Sequence, residues 1–478
     1  MAEPLLQLRL LRRQLRLEGR AVDLDRLTEA LKAHDVEYAD IRVEDTLDTQ
    51  VVFEGPDLDT IGSSRTVGGI VRALYKGGWG YATFNDLEGL EKRVREACET
   101  ARIVGKEQTQ LAEIKPVQAE IKARLVKDFR QVPLAEKKAL MEEYNKIVLG
   151  YHPSIQTSMV RYADSFKTVW YASSEGTYIT EEVPDVNMMV VAVARDGDIV
   201  QNGFKTGGGI DGFQNAENFH SQAEKAAQLA VELLAAPSVT GGKYTVITDP
   251  LMTGVFTHEA FGHLSESDFV YENPQMKELM KLGKRFGVDG LNILDDGSLP
   301  GGLGTHRYDY EGVPTRKNYL IQNGILVGRL HSRETAAKMG ELPTGNARAV
   351  NYFHPPIVRM TNTYIEQGSD TFEEMIKDIK LGVLAVDAIG GQTAMEMFTF
   401  SAAYGYMIRD GAVAELVRDV VLTGNVFETL LNIDRIGDQV VWYPSGPGGC
   451  GKGGQHPLRV GLGGPYVRIQ NCVVGGQQ

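Results

Sequence analysis

The sequence predicts an α+β protein: an N-terminal domain with helices on a mixed or antiparallel sheet, then a β-rich C-terminal domain carrying one helix of chemical interest. Three observations predict it. Residues 22–103 read as a helix, a set of strands and a second helix. Residues 158–204 are mostly strand, closed by a long helical segment. From Gly241 the texture changes to strands, hairpin signals and a glycine-rich end.

In order, residues 22–34 (VDLDRLTEALKAH) have helical apolar spacing. IRVEDT, VVFEGP, GGIVRALYKGG and GWGYATF read as short strands between turn residues, and a helix follows from about Leu87 to Ile103. Residues 106–138, rich in Lys, Glu and Gln with Pro116 and Pro133, read as a boundary or solvated connector. SMVRYADSF, VWYASSEGTYIT and NMMVVAVARDGDIVQNGF are strand-like, with a hairpin signal at Asp196-Gly197. Residues 217–235 form the clearest helix, stopped at Ala236-Pro237. KYTVITD is a strand and LMTGVFTHEAFGHL a helix, and Asn323-Gly324 and Asp410-Gly411 signal further hairpins. These elements divide the chain into domains 1–240 and 241–478, the first open to subdivision near 110–130.

Composition narrows the function. The 478 residues suffice for two or three domains, and 42% hydrophobic with 24% charged residues is ordinary for a globular protein. Fifty Lys and Arg against 63 Asp and Glu leave a net charge of -13, which argues against a nucleic-acid partner. The longest apolar run, Met188 to Ala194, is far short of a membrane span. Arg9, Arg12, Arg13, Arg16 and Arg20 alternate with leucines, which reads as an amphipathic first helix rather than a secretory signal. Three scattered cysteines form no disulfide framework and suit a reducing cytoplasm.

Among nine histidines one pair stands out, in His258-Glu259-Ala260-Phe261-Gly262-His263. Two imidazoles can share a metal ion while the adjacent carboxylate deprotonates water, the division of labour in HExxH zinc peptidases. HExxxH has one residue more. On a regular helix, residues four apart lie about 40° from each other and residues five apart about 140°. A π-bulge absorbing the extra residue brings the two rings to one face, and Gly262 is the permissive point. The bland alternative is two unrelated histidines on an amphipathic helix.

A zinc site of this kind needs a third protein ligand, and residue types leave Glu266, Asp268, His306 and Cys450 open. Two other motifs are decoys. Gly446 to Lys452 (GPGGCGK) nearly spells a P-loop, but Gly453 replaces the Ser or Thr that would bind magnesium. Gly207 to Gly212 fits GxGxxG, yet it follows a hairpin and runs into polar FQNAEN. Cys450 with His456 is a weak thiol dyad, because both sit in one glycine loop.

THEAFGHLSESD, PTGNARA at 343–349, RMTNTY at 359–364 and GGCGKGGQ at 448–455 together resemble the TldD/PmbA family of metallopeptidases, some members of which are labelled modulator of DNA gyrase. The resemblance runs from about residue 22 to the C-terminus and is to the TldD kind of subunit, which keeps HExxxH. It implies that His258, His263 and Cys450 bind Zn²⁺ and that Glu259 is the general base. It also implies a homodimer, or a heterodimer with a PmbA/TldE-like subunit, whose chamber admits unfolded or small peptides. The expectation is therefore a cytoplasmic zinc peptidase without nucleic-acid or membrane partners. The alternative is a non-catalytic regulator binding a protein such as DNA gyrase, which leaves HExxxH without a purpose.

Overall fold

The computed structural model describes residues 22, 24–32, 35–106, 110–394, 396–443 and 448–475. The arginine-bearing first twenty residues lie outside them. Among the described residues no helix is long and apolar enough to cross a membrane.

Two seven-stranded sheets organise an α+β chain. The first contains β1 (Tyr38–Glu54), β2 (Asp57–Tyr75), β3 (Gly78–Phe84), β4 (Gln118–Ile121), β5 (Ile155–Ser173), β6 (Tyr178–Asp196) and β7 (Ile199–Gly209). Their order is β3-β2-β1-β5-β6-β4, with β7 also pairing β6. All pairings are antiparallel except β4 with β6, so the sheet is mixed. The short strands expected from the sequence are in fact long ribbons: β1 has 17 residues and β2 has 19. Thr46, inside a polar run that mimics a turn, pairs with Thr66 on one side and Lys167 on the other. Two neighbours satisfy the backbone there, so the strand continues in spite of its polar side chains.

Alternation in β1 tells its two faces apart. Ala39, Ile41, Val43, Val51 and Phe53 are buried and fall on one face. They pack under helices α1 (Leu24–Lys32), α2 (Leu90–Val104), α3 (Leu134–Gly150) and α4 (His220–Ala235). Helix α3 starts inside the stretch that reads as a solvated connector; buried Met141, Tyr144 and Val148 anchor it. Asp40, Arg42 and Glu44 occupy the opposite face, also buried. There Arg42 donates to the carbonyls of Asn351 and His354 at 2.7 and 3.1 Å, and Arg72 bridges Asp40 and Glu311. The charged face of the first sheet thus docks onto the C-terminal half.

The second sheet is closed. Its order runs from Leu381–Ala394 through β8 (Gly242–Thr248), Val467–Gly475 and Val421–Asn425 to Met397–Arg409, which pairs back with Leu381–Ala394. Only β8 with Leu381–Ala394 is parallel. The hairpin turns Asn323-Gly324 and Asp410-Gly411 have positive φ at both residues, as two-residue I′ turns require. The larger apolar core lies between this barrel-like sheet and the motif helix, with Phe256, Phe398 and Phe400 in edge and stacked contact.

Candidate metal centre

Helix α5 (Pro250–Phe256) leaves β8 and is capped by Asp249, whose side chain accepts from the Met252 N–H at 2.8 Å. From Thr257 to Gly262 the helix widens into a π turn, and His263–Ser265 closes it as a 3-10 turn. The additional residue of HExxxH is absorbed there, and the rings of His258 and His263 meet at 5.0 Å between centroids, 85° apart in plane. Gly262 has φ -57° and ψ -52°, an ordinary right-handed conformation. The expected need for permissive backbone is therefore wrong: glycine is there for space, since a Cβ would overlap Met360 Sδ.

The third partner arrives from a short hairpin, Cys450–Lys452 with Gln455–Leu458. Fully buried Arg359 clamps it by donating to the carbonyls of Cys450 at 2.7 Å and Gln455 at 3.3 Å. Donor atoms of His258, His263 and Cys450 all lie within 4.8 Å of one another. Cys450 Sγ is 3.5 Å from His263 Nε2, and Glu259 Oε2 is 4.0 Å from that same nitrogen. His258 is 3% exposed and its Nδ1 has no hydrogen-bond partner.

The other sequence candidates fall elsewhere. Glu266 sits behind His263, accepting from its Nδ1–H at 2.9 Å. Lys452 bridges Glu266 at 3.1 Å and Asp268 at 2.6 Å and donates to the Val358 carbonyl. This carboxylate–histidine pairing fixes the tautomer of a ligand imidazole in metal sites. The lysine that mimicked a P-loop thus neutralises an internal carboxylate. Sequence reasoning missed it, although its spacing of two from Cys450 puts both on one strand. His306 is away from the cluster, its Nδ1–H donating to the Gly304 carbonyl at 2.9 Å. Cys450 faces His263 and not His456, which is exposed.

Electrostatics follow from these contacts. Burial pushes the Cys450 thiol up, but His258 and His263 outweigh it and bring it down to about 5. Burial favours neutral His263, yet Cys450 and Glu266 raise it to about 10. Burial would raise Glu266; Lys452 and His263 hold it at about 2. Two imidazoles and a thiolate are the nitrogen and sulfur donors zinc takes, so the donor set fits that ion.

The cluster opens into a cleft of about 530 Å³. Met189, Val191 and Phe204 of the first sheet line one side and Ala388–Gly391 of the second line the other, with His258, Glu259 and Cys450 between. An N,N,S donor set with His258 and Cys450 buried and His263 part-exposed, beside a part-exposed carboxylate in an apolar cleft, defines the class of metal-dependent hydrolases.

Comparisons narrow that class. Residues 39–101, 127–234 and 241–476 match domain 1, the central domain and the C-terminal domain of the PmbA/TldA metallopeptidases. A Synechocystis metalloprotease is 48% identical over 441 residues, covering 92% of this chain and 95% of the relative. A zinc metalloprotease TldD homolog of Saccharolobus solfataricus is 29% identical, over 92% of this chain and 96% of its own. The crystal structure of TldE from Thermococcus kodakarensis shares the fold, with a TM-score of 0.76 at 18% identity over 92% of this chain and 97% of that one. The chain belongs to the PmbA/TldD family of metallopeptidases.

Proposed function

We propose that this protein is a zinc-dependent peptidase of the cytoplasm that hydrolyses unfolded or small peptides. The observation that carries it is the convergence of His258, His263 and Cys450 within 4.8 Å on a cleft that Glu259 also lines. His258, His263 and Cys450 are the ligands in this reading. Zinc supplies Lewis acidity, drawing the pKa of water toward neutrality and polarising a carbonyl. Glu259 follows His258 on the π turn and keeps 28% of its side chain exposed. Its carboxylate takes the proton from the attacking water and passes it to the leaving amine. Glu266 holds His263 by its Nδ1–H, so that Nε2 stays aimed at Cys450. The apolar walls exclude bulk water around the scissile bond.

The similarity to a TldE structure supports a second copy or a TldE-like subunit as the partner. All three cysteines are buried and free, which accords with a reducing compartment.

The test is Glu259→Gln. The variant keeps about one zinc per chain by elemental analysis and loses peptide hydrolysis by at least roughly a hundredfold, the scale of a lost general base. Retained hydrolysis removes Glu259 from the mechanism. No metal in the unaltered chain after metal-replete purification brings the partner-binding regulator forward instead.

A further inference from the structure

We infer that a second, larger cavity beside the cleft receives a carboxylate of the peptide substrate; this rests on the peptidase reading above. The cavity measures about 1010 Å³ and shares Leu303, Tyr443 and Arg459 with the cleft over Cys450. Arg459 Nη1 donates to the carbonyl of Gly448, two residues before Cys450, so the two spaces adjoin at the metal centre.

Charge bookkeeping within the cavity gives its preference. Arg459 pairs with Asp185 at 2.9 Å, Lys167 with Glu44 at 3.3 Å, and Glu182 with Lys122 at 3.2 Å. Asp211 takes a hydrogen bond from Asn215, and Glu181 accepts the Arg307 backbone N–H at 3.3 Å. Burial raises Glu181 to about 7, so its negative charge is partial at neutral pH. Three guanidiniums remain, Arg124, Arg307 and Arg348, with no ion pair among the described residues. Asp211 keeps its charge beside the neutral Asn215 amide, so five lining cations face four carboxylates, and on a chain of net charge -13 the cavity is a local reversal of sign by about one charge.

Arg348 is the deepest of them. It donates to the carbonyls of Met360 at 2.6 Å and Arg459 at 2.8 Å, leaving the remaining N–H donors of its fork without a carboxylate. Glu181 and Asp295 lie within Coulombic reach of Arg348 but neither bonds its guanidinium, so a ligand carboxylate at hydrogen-bond distance completes the fork. His306, whose Nδ1–H is committed to Gly304, lies beside Arg348, and burial together with that guanidinium keeps its ring neutral. The cavity therefore offers a cationic fork, the complement of a peptide carboxylate.

Two sources fit: an acidic side chain or the free C-terminus of the peptide. The test is binding of three fluorescein-labelled peptides, alike except for Glu with a C-terminal amide, Gln with an amide, or Gln with a free carboxylate. Anisotropy is read on the full-length, zinc-loaded Glu259→Gln protein, and again after chelation so that the metal cannot be the carboxylate's partner. At least one carboxylate-bearing peptide binds about tenfold tighter than the Gln amide in both states, as a charge-assisted contact would give. Whichever binds tighter identifies the source. The Arg124→Gln/Arg307→Gln double variant, altering two exposed rim residues, and Arg348→Gln both reduce that preference. Because Arg348 also ties two carbonyls, the rim pair decides. Equal affinity for all three peptides, or a preference that vanishes on chelation, overturns the inference. Hydrolysis of the Gln amide by the unaltered chain reports separately on the peptidase reading.

Discussion

Lys452 sits behind the candidate metal centre. Its ammonium neutralises buried Glu266, which in turn holds the Nδ1–H of His263. Removing Glu266 frees the ring to turn, and removing Lys452 takes from the buried Glu266 its ammonium partner. Glu266→Gln and Lys452→Met are expected to weaken zinc binding about 10- to 100-fold, the range for lost outer-shell partners. Competition with a chromophoric chelator measures this, and unchanged affinity in both variants removes the role. The same contacts set a pH dependence. With its pKa raised to about 10, His263 carries a proton at neutral pH that must leave before its nitrogen takes a metal. Cys450, lowered to about 5, has already lost its own. Zinc affinity should therefore rise from pH 6 to 8 by about tenfold per unit, one proton released per ion. A flat profile over that window, with the fold intact, contradicts the protonated ring.

The π turn is the element on which the site depends, and it was legible from spacing alone: HExxxH cannot face one way on a regular helix. The reason for Gly262 was not legible, because it depends on Met360, a residue 98 positions away whose approach no local pattern encodes. Gly262→Ala is expected to cost about 1–3 kcal/mol by overpacking and to lower metal content, since the clash lies between the two histidines' supports. Differential scanning calorimetry with zinc analysis checks both; unaltered melting and full occupancy would show that Met360 simply moves aside. Cys450 as the third partner was legible only through the family's blocks, for its hairpin is positioned by Arg359 from far along the chain. Long ribbons such as β1 were misread as short strands for a related reason. Local polarity marks a turn only where no neighbouring strand satisfies the backbone, and Thr46 has one on each side.

At the scale of the molecule, the cleft exists because two sheets meet, so whatever locks them also shapes the substrate space. Residues on opposite sides of it come from β6 and β7 and from Ala388–Gly391. The lock is ionic. Arg72 reaches Asp40 at 2.5 Å and Glu311 at 3.2 Å with about 5% of its side chain exposed. Arg333 meets Glu175 at 2.8 Å, and Arg42 bridges Glu44 and two carbonyls of the C-terminal half. Such networks contribute little net stability when intact, but breaking one strands a buried carboxylate at roughly 3–5 kcal/mol. Arg72→Met keeps the side-chain bulk and strands both Asp40 and Glu311. Its expected signature is specific to a lock between two folding units. The heat-capacity transition should split into an early and a late component, and peptide hydrolysis should fall with zinc content unchanged, because no ligand has moved. A single transition at the original temperature with full activity would mean that the docking of the sheets rests on their apolar contacts instead.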